Sequence, residues 1–564
     1  MPASLNALSG IDEYYNLGSF GRKITTGSAE AQTWFNRGLT WAYGFNYEES
    51  ARCFERAASF DPSCAMVYWG LAYASGPHYN KPWQTYDKVD LKATVERTYH
   101  ASRRAKAYRD NATPVEQALI DAIQFRYPSE TVADVEQYAK QNRTYADAME
   151  SVYRDFGDDL DVAAIYADSL MNLTPWNLWD ITTGQPVAGS RTLDIRKVIE
   201  DALAREGGLE HPGLLHLHIH EVEMSPTPEI GLNAADRLRG LIPDAGHLNH
   251  MPSHLDVLMG DYRRSISSNY NATLADDKFL HRSGAHNFYT LYRLHNYHSL
   301  IYAAIVGRME ATIPQEILRV QSPPMADWLE AFLTVRAHVM VRFGMWDDII
   351  RMALPHDQEL CSVTTATVHY AKGVALAATG NVAGAERERG LFQKAFERVP
   401  STRMDFPNKC TNILAVAAAM LDGEIEYRRG NYQQAFDSLR KSIELDDRLI
   451  YSEPWGWMQP ARHAYAALML EQGHVEEAAK AYSADLGIDN TLARARQHPN
   501  NVWALQGYHE CMVRLGRKTE ADLIEPQLRL ALALADIPVK SSCFCRKDTS
   551  RAPGCCSSKE TANL

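Results

Sequence analysis

One pattern, which returns about every 34 residues, constrains the fold of this 564-residue chain more than any other feature. Its first copy alternates large and small side chains between Ala31 and Pro62, in the order Trp34, Gly38, Trp41, Tyr47, Ala51, Phe54, Ala57 and Asp61. The small residues allow two antiparallel helices to approach closely, and the aromatic residues fill the seam between them. Proline then ends the second helix, because it lacks the amide hydrogen that a helix interior requires. The pattern therefore predicts a helical hairpin as the repeating unit.

Further copies of this hairpin are spread along the chain. Each keeps the same spacing between a turn glycine and a small residue of the second helix, at Gly260 and Ser265, Gly430 and Ala435, Gly473 and Ala478, and Gly516 and Ala521. No strand pattern competes with this interpretation. We therefore predict an all-α chain, an α-solenoid of tetratricopeptide (TPR) helical hairpins wound into a right-handed superhelix.

The repeats divide the chain into five predicted segments. These are an N-terminal extension (1–18), N-terminal hairpins (19–150), central histidine-rich hairpins (151–310), C-terminal hairpins (311–537) and a disordered cysteine-rich tail (538–564). Residues 76–87, 172–190 and 451–459 break the helical rhythm and are rich in proline and aromatic residues. Such loops either cover a groove or fill gaps between hairpins through Trp176, Trp179, Trp455 and Trp457, and both interpretations stay open.

Charge and hydropathy exclude several classes of partner. The net charge of -12 would repel phosphate backbones and anionic lipid, so we expect no nucleic-acid partner. The sequence contains no run of about 18 apolar residues, so we expect no transmembrane segment. Residues 1–15 lack the basic start and the apolar run of a secretory signal, so we expect a cytoplasmic protein.

Histidine is concentrated in one window of the sequence. Residues 211–298 contain 11 of the 20 histidines, where an even scatter would place about three. His216 and His220 are four residues apart, as are His250 and His254, so each pair shares one helical face. The two pairs are themselves separated by 34 residues, one repeat length. Because the first helices of successive TPR hairpins lie side by side, we expect these four imidazoles to converge.

This convergence predicts a metal site. The expected ligands are His216, His220, His250 and His254, with His298 or His295 from the next first helix. Several imidazoles with one carboxylate suit a divalent transition metal such as zinc, copper, iron or nickel better than magnesium or calcium. We further predict Glu223 and Glu453 as catalytic proton acceptors, and a groove lined by His247, Trp176, Trp179, Asn296 and Arg462. A groove for a metal-free ligand, or imidazoles used only for structural hydrogen bonds, is the alternative.

Short motifs between residues 19 and 535 carry a family resemblance. They include Phe20-Gly-Arg-Lys-Ile, Met171-Asn-Leu-Thr-Pro-Trp, His250-Met-Pro-Ser-His and His295-Asn-Tyr-His. Together they resemble a family of long TPR-domain proteins found in bacteria and filamentous fungi. The resemblance implies the fold but names no reaction. Fungal members look like accessory proteins, some of them beside secondary-metabolite genes, which implies a role in secondary metabolism.

Three functions are compatible with these features. The first is a metal-dependent enzyme that acts on a small organic molecule. The second is a scaffold or adaptor that binds a protein partner in its concave groove. The third is a metal store that also uses the tail thiolates of Cys543, Cys545, Cys555 and Cys556. The same cysteines are alternatively palmitoylated, or lie unused in an unstructured tail.

Overall fold

The computed structural model describes residues 14–304, 315–321 and 324–547. Of the described residues, 67% are helical and almost none lie in sheet. Consecutive helices pair as antiparallel hairpins, and the hairpins stack in chain order. The predicted all-α solenoid of TPR hairpins is confirmed.

The N-terminal part contains seven described helices. They are α1 (Ala29–Tyr43), α2 (Tyr47–Phe60), α3 (Ala65–Ser75), α4 (Lys88–Ala107), α5 (Pro114–Arg126), α6 (Val135–Phe156) and α7 (Leu160–Met171). Polar side chains define where several of them begin. Ser28, Asn46 and Asp87 each accept a hydrogen bond from a free backbone N–H in the first turn of α1, α2 and α4.

The central part carries the histidine-rich window. Its described helices are α8 (Thr192–Leu203), α9 (Pro212–Val222), α10 (Leu232–Leu238), α11 (Gly246–His250), α12 (Pro252–Met259), α13 (Tyr262–Ser283) and α14 (Thr290–Ala304). Proline at the first position of α12 separates it from α11, so one first helix is built from two short pieces. The two repeat-equivalent histidine pairs therefore lie on α9 and on the α11–α12 piece.

The C-terminal part contains the remaining described helices. They are α15 (Gln315–Leu318), α16 (Met325–Leu329), α17 (Val335–Arg342), α18 (Trp346–Arg351), α19 (Ser362–Ala378), α20 (Val382–Phe396), α21 (Cys410–Arg429), α22 (Tyr432–Asp446), α23 (Ala461–Glu471), α24 (Val475–Leu486), α25 (Val502–Arg514) and α26 (Lys518–Leu534). Two small antiparallel hairpins pair β1 (Trp179–Asp180) with β2 (Gln185–Pro186) and β3 (Met404–Asp405) with β4 (Asn408–Lys409). None of the described helices is both long and apolar enough to cross a membrane.

The C-terminal part curves back onto the central part. The guanidinium of Arg494 donates a hydrogen bond of 2.8 Å to the carbonyl of Leu258 at the end of α12. The ring of Trp455 lies 5.6 Å from that of Tyr302 on α14. Loops that are distant in the sequence therefore close over the histidine-rich helices.

The first part of the tail corrects one prediction. Residues 541–547 were expected to be disordered, but they pack against the last hairpins. Ser542 is buried, donates a hydrogen bond to the carbonyl of His463 and contacts the hydroxyl of Tyr482. Arg546 forms a bidentate ion pair with Glu510. Contacts of individual side chains, among them the ring of Phe544 against Trp503, hold this segment without any helical periodicity, which is why the sequence pattern did not show it. Cys543 and Cys545 are joined by a disulfide, and Cys555 and Cys556 lie outside the described residues.

Candidate metal centre

Six imidazoles meet in the middle of the solenoid. They belong to His216 and His220 on α9, His247 and His250 on α11, His254 on α12 and His295 on α14. Four pairs of these rings have centroids 4.6, 4.7, 4.8 and 5.0 Å apart. All of the rings except that of His295, which is partly buried, are removed from solvent. The two repeat-equivalent pairs thus converge. His247 on α11 and His295 on α14 join them.

The ligand atoms form three groups, and within each group they lie within 4.8 Å of one another. The first group, here called triad one, is His216, His220 and His247. The second, triad two, is His250, His254 and His295. The third group joins His220 and His254 to the carboxylate of Glu223. Each group is large enough to hold a metal ion, and the two triads share no histidine.

Hydrogen bonds fix the orientation of the two rings contributed by α9. Nδ1 of His216 lies 2.6 Å from the carbonyl oxygen of Tyr43, which can only accept, so the imidazole donates from Nδ1. Nδ1 of His220 lies 2.9 Å from one oxygen of Glu223 and donates to it in the same way. The lone pair of each ring is therefore on Nε2.

The equivalent rings of the next repeat are anchored likewise. Nδ1 of His250 lies 2.6 Å from Oδ1 of Asn269, whose amide nitrogen is already used as a donor to the carbonyl of Ser265. Nδ1 of His254 lies 2.5 Å from the second oxygen of Glu223. Histidines that bind metals usually donate their other N–H to a carbonyl or a carboxylate, as these four do.

The anchors leave two lone pairs facing each other in triad two. Nε2 of His250 and Nε2 of His254 are 2.7 Å apart, and Nε2 of His295 is 3.0 Å from that of His250. Burial lowers the pKa of His250 and of His254 to about 4, so neither ring carries an additional proton at neutral pH. When Glu223 is ionised, the contact between His250 and His254 therefore joins two acceptors, which is unfavourable in a buried site unless a cation lies between them.

Triad one presents nitrogen atoms that make no hydrogen bond with any described residue. They are Nε2 of His216, Nε2 of His220 and both ring nitrogens of His247. Burial lowers the pKa of His220 to about 3 and lowers those of His216 and His247 well below the ordinary value. Triad one is consequently a second set of neutral imidazoles with available lone pairs.

A close approach of two helices makes the first anchor possible. A side chain at Gly213 on α9 would place its Cβ only 2.6 Å from the ring of Tyr43 at the end of α1. Glycine allows α9 to lie against this ring, and the carbonyl of Tyr43 then reaches His216. The position of triad one therefore depends on packing between hairpins that are far apart in the sequence.

Two aromatic residues in the left-handed backbone region border the imidazoles. Phe45 has φ of 56°, and its ring centroid lies 4.4 Å from that of His216. Trp176 has φ of 58° and lies 6.2 Å from His220. This conformation costs about 1–3 kcal/mol in a non-glycine residue, so the surrounding packing must hold both rings in place. Together with Tyr79, which lies 5.1 Å from His220, they form an apolar wall.

The third irregular loop brings a carboxylate from the C-terminal part. Oε2 of Glu453 lies 3.9 Å from Nδ1 of His254. Both oxygens of Glu453 are buried, and neither makes a hydrogen bond of standard geometry with a described residue, although the hydroxyl of Tyr451 lies beside them. Burial, together with the negative charge of Glu223, raises the pKa of Glu453 well above its usual range. All three irregular loops, through Tyr79, Trp176 and Glu453, thus contribute to the wall of the site.

Comparisons with known proteins extend no further than the fold. No protein-family profile and no curated protein matches this chain. Among solved structures, the human IFIT1 dimer with m7Gppp-AAAA is 12% identical, and the match covers 90% of this chain and 91% of that chain at a TM-score of 0.29. Yeast Tom70 is also 12% identical, with 89% of this chain and 93% of that chain covered at a TM-score of 0.26. Both are TPR-like helical solenoids, and such low TM-scores carry no information about the function of this chain.

Four predicted site residues lie elsewhere. The ring of His298 faces Phe332, with centroids 5.6 Å apart, because it is one helical turn beyond His295 and rotated away from it. Asn296, Arg462 and Trp179 are engaged in other contacts, with the carboxylate of Asp276, the carboxylate of Asp447 and the carbonyl of Glu221 respectively. His298 is therefore not a member of either triad, and the other three do not line the site.

The role predicted for Glu223 also changes. Both of its oxygens accept hydrogen bonds from imidazoles, which favours a positioning role over that of a proton acceptor. Glu453 is the carboxylate of the site that stays free of such bonds among the described residues. His247, expected only to line the groove, lies among the ligand groups.

A pocket adjoins the centre on the side of His298. Its cavity volume is ≈ 20 Å³, about enough for one water molecule, and its lining includes His298, His338, Asp405 and Trp457. Burial raises the pKa of Asp405 to about 7. The pocket and the centre share three elements. Helix α14 carries both His295 and His298, the loop 451–459 carries both Glu453 and Trp457, and the β3–β4 hairpin places Asp405 in the pocket and Phe406 against Trp176.

Sequence analysis missed several residues that complete the site. Asn269 and the carbonyl of Tyr43 anchor two imidazoles, and Phe45 covers them. His338 and Asp405 line the adjoining pocket. Phe45 precedes Tyr79, another ring of the wall, by one repeat length of 34 residues, and this spacing was a signal that could have found it. The other four carry neither a repeat-length partner nor a recognisable motif.

Proposed function

We propose that this chain binds a transition metal among the converged histidines and acts as a metal-dependent enzyme on a small organic molecule. The observation that carries the proposal is the 2.7 Å contact between the Nε2 atoms of His250 and His254, whose Nδ1 atoms are both engaged elsewhere. A metal cation at this point converts two repelling lone pairs into two ligands. The anchored Nδ1 atoms of the four paired histidines support the same interpretation.

The surroundings of the centre suit catalysis better than storage. A metal held by three histidines keeps a coordination position for water or for a substrate atom, and it supplies Lewis-acid or redox chemistry there. Phe45, Tyr79 and Trp176 exclude bulk water from one side. Glu453, unlike Glu223, accepts no hydrogen bond from an imidazole of the described residues, so it is the carboxyl group available to exchange a proton with a bound molecule.

The adaptor alternative is disfavoured at this groove. Its imidazoles are buried, and the loops around Trp176 and Glu453 cover them. An extended peptide or a partner helix therefore has no access to the predicted binding face, and a protein partner would need another surface. A role in secondary metabolism stays a prediction.

Metal analysis tests the first half of the proposal. Purified full-length chain is expected to contain a stoichiometric transition metal by elemental analysis, and His220→Ala is expected to lower the metal content. His218→Ala is the matched control, because His218 is buried on the same helix but belongs to none of the ligand groups. Metal-free wild-type protein, after both native purification and reconstitution with zinc or copper, would refute the proposal.

Ligand binding tests the second half. The imidazoles are bordered by the rings of Phe45, Tyr79 and Trp176, so small aromatic alcohols and amines are the appropriate probes. Ligand-observed NMR with metal-loaded protein is expected to detect members of such a library. Removal of the metal with a chelator is expected to abolish these signals. Equal binding to metal-loaded and metal-free protein would show that the metal centre is not the substrate site.

A further inference from the structure

The ligand groups have the organisation of a duplicated site. His216 and His220 belong to one repeat and are joined by His247 from the next first helix. His250 and His254 are their equivalents one repeat later, and they are joined by His295 from the following first helix. Each triad therefore consists of the pair of one hairpin and a single imidazole of its successor. Three histidines are already a complete protein ligand set for one catalytic metal.

Each triad independently shows unsatisfied lone pairs. In triad two, Nε2 atoms face each other at 2.7 and 3.0 Å. In triad one, Nε2 of His216, Nε2 of His220 and both nitrogens of His247 are buried and make no hydrogen bond with any described residue. An ion in triad two leaves the nitrogen atoms of triad one unsatisfied, since the triads share no member. One ion therefore accounts for only half of the arrangement.

The two carboxyl groups of the centre have room for cationic partners. Glu223 and Glu453 are both buried in the centre. The ion pairs of these two groups within the described part of the chain are with imidazoles, and none is with lysine or arginine. A metal ion in each triad would therefore be the main positive partner of these carboxyl groups.

Glu223 connects the triads. Its two oxygens accept from Nδ1 of His220, in triad one, and from Nδ1 of His254, in triad two, at 2.9 and 2.5 Å. Rings of the two triads are also direct neighbours, with centroids 5.8 Å apart for His220 and His254 and 5.9 Å apart for His247 and His250. The two ligand sets are therefore adjacent rather than remote, as in enzymes that bind a substrate between paired metals.

We infer that the centre is dinuclear, with one transition-metal ion in the triad of His216, His220 and His247 and a second in the triad of His250, His254 and His295. This inference rests on the proposed function and extends it. It assigns the substrate a place at a two-metal site, between the ligand sets of the two triads.

Metal stoichiometry tests the inference. Full-length chain is reconstituted with Cu(II) or Zn(II), freed of excess metal by dialysis and analysed for metal and protein. The wild type is expected to retain two equivalents. His216→Ala combined with His247→Ala, and separately His250→Ala combined with His295→Ala, are each expected to retain one. His218→Ala is expected to retain two.

The outcomes separate the two proposals. One equivalent in the wild type would overturn the dinuclear centre and leave the proposed function in place, whereas no metal would overturn both. Electron paramagnetic resonance of the copper-loaded protein provides a second measurement that does not depend on how well the variants fold. Adjacent Cu(II) ions couple, so the integrated signal of the fully loaded wild type is expected to fall below its total copper. A signal equal to total copper would contradict adjacent ions.

Discussion

His220 and His254, one repeat length apart in the sequence, donate from Nδ1 to the two oxygens of the same carboxylate. Glu223 therefore couples equivalent positions of neighbouring hairpins. The orientation of both rings therefore depends on one side chain, that of Glu223.

Replacement of that side chain is expected to weaken metal binding. In Glu223→Gln, the amide keeps one acceptor oxygen but presents an NH2 donor to the second Nδ1–H, so one imidazole loses its anchor. We expect a loss of metal affinity of about 10–100-fold, measured by competition with a chromophoric chelator. Glu221→Gln is the control, because Glu221 is buried on the same helix but pairs with Arg196. Equal affinities for the two variants would show that Glu223 does not position the ligands.

Asp276 is expected to make stability depend on pH. Burial raises its pKa to about 7 in the folded chain, against about 3.9 in the unfolded chain. Between about pH 4 and pH 7 the carboxyl group of Asp276 is protonated in the folded chain and ionised in the unfolded chain. Its contribution to stability is therefore complete below about pH 4 and is lost as the pH rises to about 7. Asp276→Asn removes the dependence. From pH 5 to pH 8 the variant is expected to gain about 2 kcal/mol in free energy of unfolding relative to the wild type, measured by urea denaturation. Asp110 is exposed, and Asp110→Asn should show no such gain. If the stability of Asp276→Asn follows the same pH profile as that of the wild type, Asp276 is not the source of the pH dependence.

Gly260 is expected to tolerate substitution less well than other turn glycines. It ends α12 with φ of 73°, and an added Cβ would lie 2.2 Å from the carbonyl oxygen of Pro499 in the C-terminal part. Gly430 ends α21 with φ of 83° but faces open space. Gly430→Ala should therefore cost about 1–2 kcal/mol from backbone strain alone, and Gly260→Ala should cost more, because the two parts must separate. Thermal unfolding and limited proteolysis measure the difference, and equal losses would argue against the closure described here.

The packed part of the tail leads to a further prediction. Ser542 is buried between the hydroxyl of Tyr482 and the carbonyl of His463. Ser542→Ala leaves these groups without their partner, which is expected to cost about 1–3 kcal/mol. The neighbouring Ser541→Ala should be nearly neutral in the same thermal-unfolding measurement. If both substitutions are neutral, the tail does not pack against the last hairpins in solution.

The sequence by itself determined the repeating unit and the origin of the site. A helical hairpin forms from local interactions, because side chains a few residues apart determine its helices. A residue type that recurs at the repeat length therefore occupies equivalent positions in successive hairpins. For this reason His216 and His250, and likewise His220 and His254, were identified as converging pairs. The choice of imidazole as a ligand also followed from residue type alone.

Only the tertiary structure decided which groups complete the site. His295 rather than His298 joins the second pair, because one turn of α14 rotates the later ring towards Phe332. The anchors at Tyr43 and Asn269 and the carboxylate of Glu453 depend on how far the stack of hairpins curves. That curvature is the sum of many small packing contacts between residues far apart in the chain, and no local pattern encodes it.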